Sequence, residues 1–315
     1  MTGGLERLEF RAVGTTCAVA VPAGPRAQHA LDAAREEIAA CERALSRFDA
    51  ASDLSRLNGA AGTWTTVDRR LIDALRLATR AREDTGGRFD PTVLPALAAA
   101  GYDRSFEQLV PREPRVAEGW RAGAQIDLDE EGGRARLAAG AAVDLGGIGK
   151  GYAAMRAVDA MRDAWPMLPG ALVDLGGDLA LHGSSPDGGA WRIAVADPRT
   201  PGGSAGMLVL GSCGVATSGR DVRRFGPDRS LHHLIDPATG APAEPGPLAV
   251  TVIAPTAADA EAHATALGIS TLDAAAAHVE RHPRISAVVI PFEGEPLLLG
   301  RPPLVQPQRF VVRAA

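Results

Sequence analysis

Short apolar runs crowd the second half of this 315-residue chain, whereas long amphipathic runs lie both early and late, and that uneven order constrains the fold more than any single motif. Strict strand–helix alternation would give a doubly wound parallel sheet; clustered strands with helices before and after them give an α+β arrangement. The runs that read as strands are 143–145, 171–175, 179–182, 190–196, 206–210, 231–235, 248–254 and 285–291. An opening strand spans Leu8 to Val21, broken near Gly14. Ala30, Leu31, Ala34, Ile38, Cys41 and Leu45 recur at helical spacing behind Pro25, a residue suited to a helix start. A second helix runs from Asp68, a good N-cap, to Thr85, where Gly86-Gly87 stops it. Further helices are expected at 150–164, 257–268 and 271–281. Residues 46–59 read as a polar loop with a short helical turn. Residues 103–142 carry the least pattern and read as an edge hairpin or a variable insertion. With no linker to cut the chain, residues 1–315 read as one large domain, 293–315 being a C-terminal extension.

Composition excludes several function classes. A net charge of −5 gives no basic field for nucleic acid or an anionic membrane. No apolar run approaches the roughly 20 residues of a membrane span. The opening MTGGLERLEF has neither the basic nor the apolar region of a signal peptide. Three scattered cysteines, Cys17, Cys41 and Cys213, argue against a disulfide framework or a zinc site and fit a reducing compartment, so the expected location is cytoplasmic.

Of the 33 basic residues, 32 are arginine and one is lysine, Lys150. A lysine that survives in so arginine-rich a chain marks a position where a planar fork does not fit and a compact charge does. It stands inside AAVDLGGIGKGYAA, residues 141–154, where an apolar stretch runs into Gly146, Gly147, Gly149 and Gly151 and then a helix. Glycines allow close backbone approach, and a helix start offers unpaired N–H groups to an anion. Two common phosphate motifs do not fit: a P-loop needs Ser or Thr after Gly-Lys, and the dinucleotide fingerprint is spaced differently and belongs early in a chain. An anion site is one reading; a tight turn carrying an exposed lysine is the other. The DLGG of Asp144–Gly147 recurs at Asp174–Gly177, again as a strand ending in a glycine turn.

Two further segments carry chemistry-bearing residues. SLHHLIDPATGAPA, residues 230–243, sets His233 three residues before Asp236, so imidazole and carboxylate can converge at a strand end, or simply cap a turn. TAADAEAHATAL, residues 256–267, places Glu261 and Thr265 on one helical face, an oxygen-only pair that suits magnesium, or a solvated face. Asp259 and His263 fall on other faces and read as surface. TGGRFDPTV and SDLSRLN would pass as capping and turn chemistry.

In order along the chain, VGTT, SRFDAASDLSRLN, TGGRFDPTVLP, DLGGIGKGYA, LVDLGGD, VATSGRD, HHLIDPATGAP and VTVIAPTAADAEAHATAL resemble the FAD:protein FMN transferase (ApbE-like) family over residues 8–292. The resemblance implies a T-fold-related domain with a mixed or antiparallel sheet flanked by helices. It implies a magnesium-dependent enzyme that splits FAD at its pyrophosphate and moves the FMN moiety to a Thr or Ser hydroxyl of an acceptor flavoprotein, releasing AMP. Carried over residue by residue, Gly147 would offer its carbonyl to the metal, and Glu261 and Thr265 their side-chain oxygens. Val13, Phe48, Arg88, Phe89, Asp90, Asp144, Lys150 and Ile235 would lie along the FAD. His233 and Asp236 would flank the reacting phosphate, His233 taking the acceptor's proton, and Lys150 would neutralise charge that builds on the phosphoryl oxygens. The chain departs from the family where it has Val13 for Met, Phe48 for Tyr, Met155 for Asp and Glu261 for Asp. A FAD pyrophosphate hydrolase, or a FAD-binding protein without transfer activity, are the alternatives.

Overall fold

The computed structural model describes residues 4–302 apart from 222, 223, 229 and 245, together with the backbone of 305–306 and 311–312. Nine strands form the central sheet and lie side by side in chain order: β1 (Leu5–Ala12), β2 (Thr15–Pro22), β3 (Gly170–Leu175), β4 (Leu179–Gly183), β5 (Cys213–Gly219), β6 (Ala249–Ala254), β7 (Ser286–Ile290), β8 (Leu297–Leu299) and β9 (Val311–Val312). Every neighbouring pair is antiparallel except β8 with β9, which is parallel. The expected α+β class with an antiparallel sheet and flanking helices is what forms.

One face of the sheet carries helices, α1 (Ala27–Leu45), α3 (Arg69–Asp84), α5 (Gly149–Ala164), α6 (Ala257–Gly268) and α7 (Leu272–Arg281), while α2 (Asp53–Gly59) and α4 (Leu94–Ala100) are short connectors. Period-2 alternation sorts β6 between two cores. Val250, Val252 and Ala254 meet Ala260, Ala264 and Leu267 of α6, whereas Ala249 and Ile253 meet Trp191, Leu208 and Leu210 on the opposite side. Those last three belong to a small second sheet, 191–196 with 204–210 and 305–306, so β6 is buried on both faces and reads as an apolar run interrupted only by Thr251, whose hydroxyl meets that of Thr217 at 2.8 Å. Among the described residues no helix is long and apolar enough to cross a membrane.

Helix ends follow their sequence signals. Asp68 caps α3 by accepting from the Arg70 N–H at 2.7 Å, and Gly86 and Gly87 follow its end with φ of +60° and +79°. Ser52, Thr256 and Thr271 cap α2, α6 and α7 in the same way.

Two expectations need correction, and one strand was not expected. Residues 143–145 are not a strand: the Val143 N–H and C=O are taken by the Asn58 side-chain amide, at 2.8 and 2.9 Å, so no neighbouring strand is needed. Residues 231–235 split into two short pairings, Leu231–His232 and Ile235–Asp236. β5, central to the sheet, escapes sequence reading because it is CGVATSG, nearly all small residues. Its smallness is a packing requirement: a Cβ on Gly214 would come within 2.2 Å of the Ala257 nitrogen of α6. The stretch 103–142 includes a hairpin, Ile126–Asp129 with Arg134–Leu137, which pairs in turn with Thr65–Thr66.

Candidate active site

A cleft of about 1180 Å³ opens beside β2 and β3. Alternation along these strands explains it: Val19, Val21, Val173 and Leu175 enter the helical core, leaving Ala18, Ala20, Leu172 and Asp174 to line the cleft. Its volume exceeds the roughly 300–1,000 Å³ of a drug-sized pocket and suits a larger ligand.

Lys150, Glu261 and Asp178 converge in its wall. Lys150 lies in the first turn of α5 and Glu261 in the second turn of α6. The two helix starts touch so closely that a Cβ on Gly151 would fall 2.2 Å from the Ala257 carbonyl oxygen. The approach lets Glu261 Oε2 accept from the Gly151 N–H at 2.7 Å, satisfying an orphan donor of α5 with an anion at the positive end of its dipole. Glu261 Oε1 accepts from the Lys150 ammonium at 2.9 Å, and Asp178 accepts from the same ammonium. Both carboxylates are buried, with side chains only 2% and 4% exposed for Asp178 and Glu261. Two buried negative charges thus face one positive charge. The exposed-lysine reading of the glycine turn is therefore wrong: Lys150 is drawn inward by two carboxylates.

Gly147 and Thr265 adjoin this trio. A Cβ on Gly147 would stand 2.8 Å from Thr265 Oγ1 and 3.1 Å from Phe89 Cε2, so only glycine lets that backbone lie against α6. A mid-helix threonine usually bonds back to the carbonyl four residues earlier. Among the described residues Thr265 Oγ1 takes no such bond, and it lines the cleft instead. Carboxylate, hydroxyl and nearby peptide oxygen are hard donors of the kind magnesium prefers, and the trio's excess negative charge calls for a cation. Among the described residues no three His, Cys, Asp or Glu side chains form a metal cage. The donor set thus fits a magnesium ion that keeps part of its shell for water or phosphate oxygens.

Other predicted residues divide into those that line the cleft and those that build it. Val13 occupies the β1–β2 turn at φ +47°, a conformation a β-branched side chain rarely adopts, and its N–H donates to Glu42 Oε1 at 2.7 Å. Phe48 is about half exposed at the cleft, 49%. The Arg47 guanidinium stacks 4.1 Å from the Phe48 ring centre and pairs through Nε with Asp144 at 2.7 Å, so Asp144 enters the cleft already neutralised. Arg88 and Ile235 line the wall, and Phe89 forms part of the floor against Gly147. Asp90 both lines the cleft and pins its wall: its carboxylate accepts from the Thr92 N–H and Oγ1 and from the Gly123 N–H at 2.8, 2.7 and 2.6 Å.

His233 lines the cleft, but Asp236 does not. The Asp236 carboxylate turns back to accept from the Ala238 N–H at 2.9 Å, while its carbonyl accepts from Thr239 and Gly240. The expected His–Asp convergence is thus replaced by a histidine in the cleft and an aspartate that closes the turn behind it. His232, beside it, is buried against Ala243 O at 3.1 Å; burial and then the Arg220 charge push it down to about 4.

His263, expected on the surface, is 8% exposed and shares a 2.9 Å hydrogen bond with His278. Burial, and next the neighbouring His263, push His278 down to about 3. Residues that sequence reasoning missed include Asp178, Arg47, Glu42 and Tyr102, whose ring lies 6.2 Å from Phe48. Asp178 ends the quoted LVDLGGD block and Arg47 sits inside SRFD, so the signal lay in segments already singled out.

Comparison with known proteins places the chain in a family. The ApbE family profile matches residues 13–289. A FAD:protein FMN transferase from Treponema pallidum is 32% identical over 305 residues, 88% of this chain and 82% of that protein. One from Klebsiella pneumoniae is 30% identical over 269 residues, 82% of this chain and 76% of that one. Among solved structures, the ApbE protein of Thermotoga maritima superposes with a TM-score of 0.81 at 27% identity, covering 94% of this chain and 97% of that one. With a profile match over most of its length and relatives aligned over most of theirs, the chain belongs to the ApbE family.

Proposed function

We propose that this protein is a FAD:protein FMN transferase that takes the FMN moiety from FAD to a Thr or Ser hydroxyl of an acceptor flavoprotein and releases AMP. The observation that carries the reading is the Lys150–Glu261–Asp178 trio, set beside Gly147 and Thr265 in the same cleft as His233.

In this reading the FAD pyrophosphate lies at Lys150, whose ammonium offsets charge on the phosphoryl oxygens. The apolar and aromatic walls, Val13, Phe48, Phe89 and Ile235, hold the flavin and the adenosine, while Arg88 and the neutralised Asp144 supply polar contacts. His233 accepts the proton of the incoming hydroxyl. The hydroxyl oxygen bonds to the FMN-side phosphorus as the pyrophosphate P–O bond breaks and AMP departs. Asp236 keeps the His233 turn in shape and is a positioning residue. A magnesium ion held by Glu261, Thr265 and the Gly147 carbonyl would add positive charge beside the phosphates. Most of the rate enhancement then comes from positioning and charge, as in other phosphoryl transfers.

The test is incubation with FAD, magnesium and a flavoprotein acceptor, followed by intact-mass analysis of the acceptor. One FMN added to a single Thr or Ser supports the reading. FAD bound without any transfer selects a binding protein, and AMP release that ignores the acceptor selects a hydrolase.

A further inference from the structure

The flavin reading asks Lys150 to meet a pyrophosphate, yet its ammonium is already engaged by Asp178 and, at 2.9 Å, by Glu261. As it stands the trio carries net negative charge at the place an anionic substrate must approach. Charge of the wrong sign in a half-enclosed site disfavours an anion strongly. The two carboxylates are also not equivalent. Glu261 Oε2 is taken by the Gly151 N–H, whereas Asp178 Oδ1 takes no hydrogen bond among the described residues. Asp178 is 1% exposed yet lines the cleft, and the transfer chemistry above makes no use of it.

We propose that Asp178 is the positioning residue for Lys150 and sets an order of binding: it retains the ammonium when Glu261 turns to a divalent cation, so that the site changes from net negative to net positive and only then admits FAD. This rests on the flavin transferase reading. A cation on Glu261 cannot share that carboxylate with an ammonium at hydrogen-bonding distance without like-charge repulsion. Lysine has a flexible stem and a compact head, so it can release Glu261 Oε1 and stay on Asp178. Without Asp178 the ammonium would have Glu261 alone and would compete with the cation for it. Asp178 therefore has two opposed effects: it repels FAD while the cation is absent, and it aids the cation by drawing lysine off Glu261. A carboxylate that only fixed the glycine turn would have neither.

The test measures FAD binding by flavin fluorescence without acceptor, in EDTA and in magnesium, for wild type, Asp178→Asn and Asp178→Glu. Cation binding is read separately, without FAD, from the rise in Tm with added magnesium. Wild type is expected to bind FAD about tenfold or more tightly once magnesium is present, the scale of one screened unit charge. Asp178→Asn should bind FAD about tenfold more tightly than wild type in EDTA and need about tenfold more magnesium for the same rise in Tm. Asp178→Glu should restore both toward wild type. Wild-type affinity for FAD that is equal in EDTA and magnesium overturns the binding order and leaves the flavin reading standing. Equal loss of FAD by Asp178→Asn in both conditions, with an unchanged magnesium midpoint, reduces Asp178 to a structural role and overturns the proposal. Absence of FAD binding by wild type in either condition overturns both readings.

Discussion

Gly147→Ala probes how closely the floor of the cleft is built. The added Cβ would stand 2.8 Å from Thr265 Oγ1, 3.1 Å from Phe89 Cε2 and 3.3 Å from Thr265 Cγ2. Ordinary contact begins near 3.4 Å, so Thr265 must retreat by about 0.6 Å. Phe89 is 3% exposed and Thr265 rides on a helix packed against both β5 and β6, so neither has an easy direction in which to move. Overpacking of this kind costs about 1–3 kcal/mol. The backbone at Gly147 is not left-handed, so alanine regains about 0.4–1 kcal/mol by restricting the unfolded chain. The net expectation is a loss of about 1–2 kcal/mol, read in urea as a lower midpoint at unchanged slope. Adding Thr265→Ala removes two of the three close contacts. The double variant should therefore recover most of the lost stability while magnesium-dependent FAD turnover stays low, because the hydroxyl is gone. Strong non-additivity is the signature of direct contact. A Gly147→Ala protein as stable as wild type, with effects that simply add in the double variant, would refute the proximity of Gly147 to Thr265.

Lys150→Arg should lower FAD affinity or turnover at least tenfold although charge is kept, since a planar fork cannot occupy the space between Asp178 and Glu261; FAD titration with wild-type affinity would count against the compact-charge argument. Glu261→Gln should raise the magnesium concentration needed for turnover by about tenfold or more, and Glu261→Asp should retain magnesium dependence; magnesium titrations decide, and a wild-type midpoint for Glu261→Gln removes it as a ligand. His233→Ala should slow transfer by about 10²–10⁴ in kcat with FAD affinity changed little, so a kcat within a few-fold of wild type would dismiss it as the base. Stability should fall as pH drops: His232 and His278 are held at about 4 and 3, below their usual 6.5, so the unfolded chain takes up protons first. Their contribution is complete above pH 6.5 and is lost toward the lower values. Urea midpoints at neutral pH and at about pH 5 check it, and identical midpoints contradict it.

Where a segment's local pattern and its tertiary environment agree, the sequence was a sufficient guide. α6 is bounded by its Thr256 cap, and β6 announces itself because all six of its residues are buried. Where packing overrides pattern, reading stopped short. Val143 carries an apolar strand signature, but an asparagine side chain 85 positions away satisfies its backbone. β5 has no β-branched run because α6 leaves no room for side chains at Gly214. His263 passed as surface because α6 is alanine-rich nearly all round, so its sequence presents no polar face from which to infer a buried one. The site shows the same division. Glu261 and Thr265 follow from helical spacing, and the uniqueness of Lys150 pointed to its position. The role of Asp178 depends on a contact between residues 28 positions apart, which spacing does not encode. Asp90 and Asp236 illustrate the converse: carboxylates in promising motifs that accept from N–H groups, Asp90 through both oxygens and Asp236 through Oδ1.

The central claim is that one pyrophosphate bond is broken for each hydroxyl modified. The most direct measurement counts AMP and flavin-modified acceptor in the same reaction, with FAD and magnesium in excess and acceptor limiting. The account predicts a one-to-one ratio, AMP release that stops when the acceptor is consumed, and loss of both products together in His233→Ala. AMP that accumulates without acceptor, or continues after the acceptor is exhausted, would contradict it.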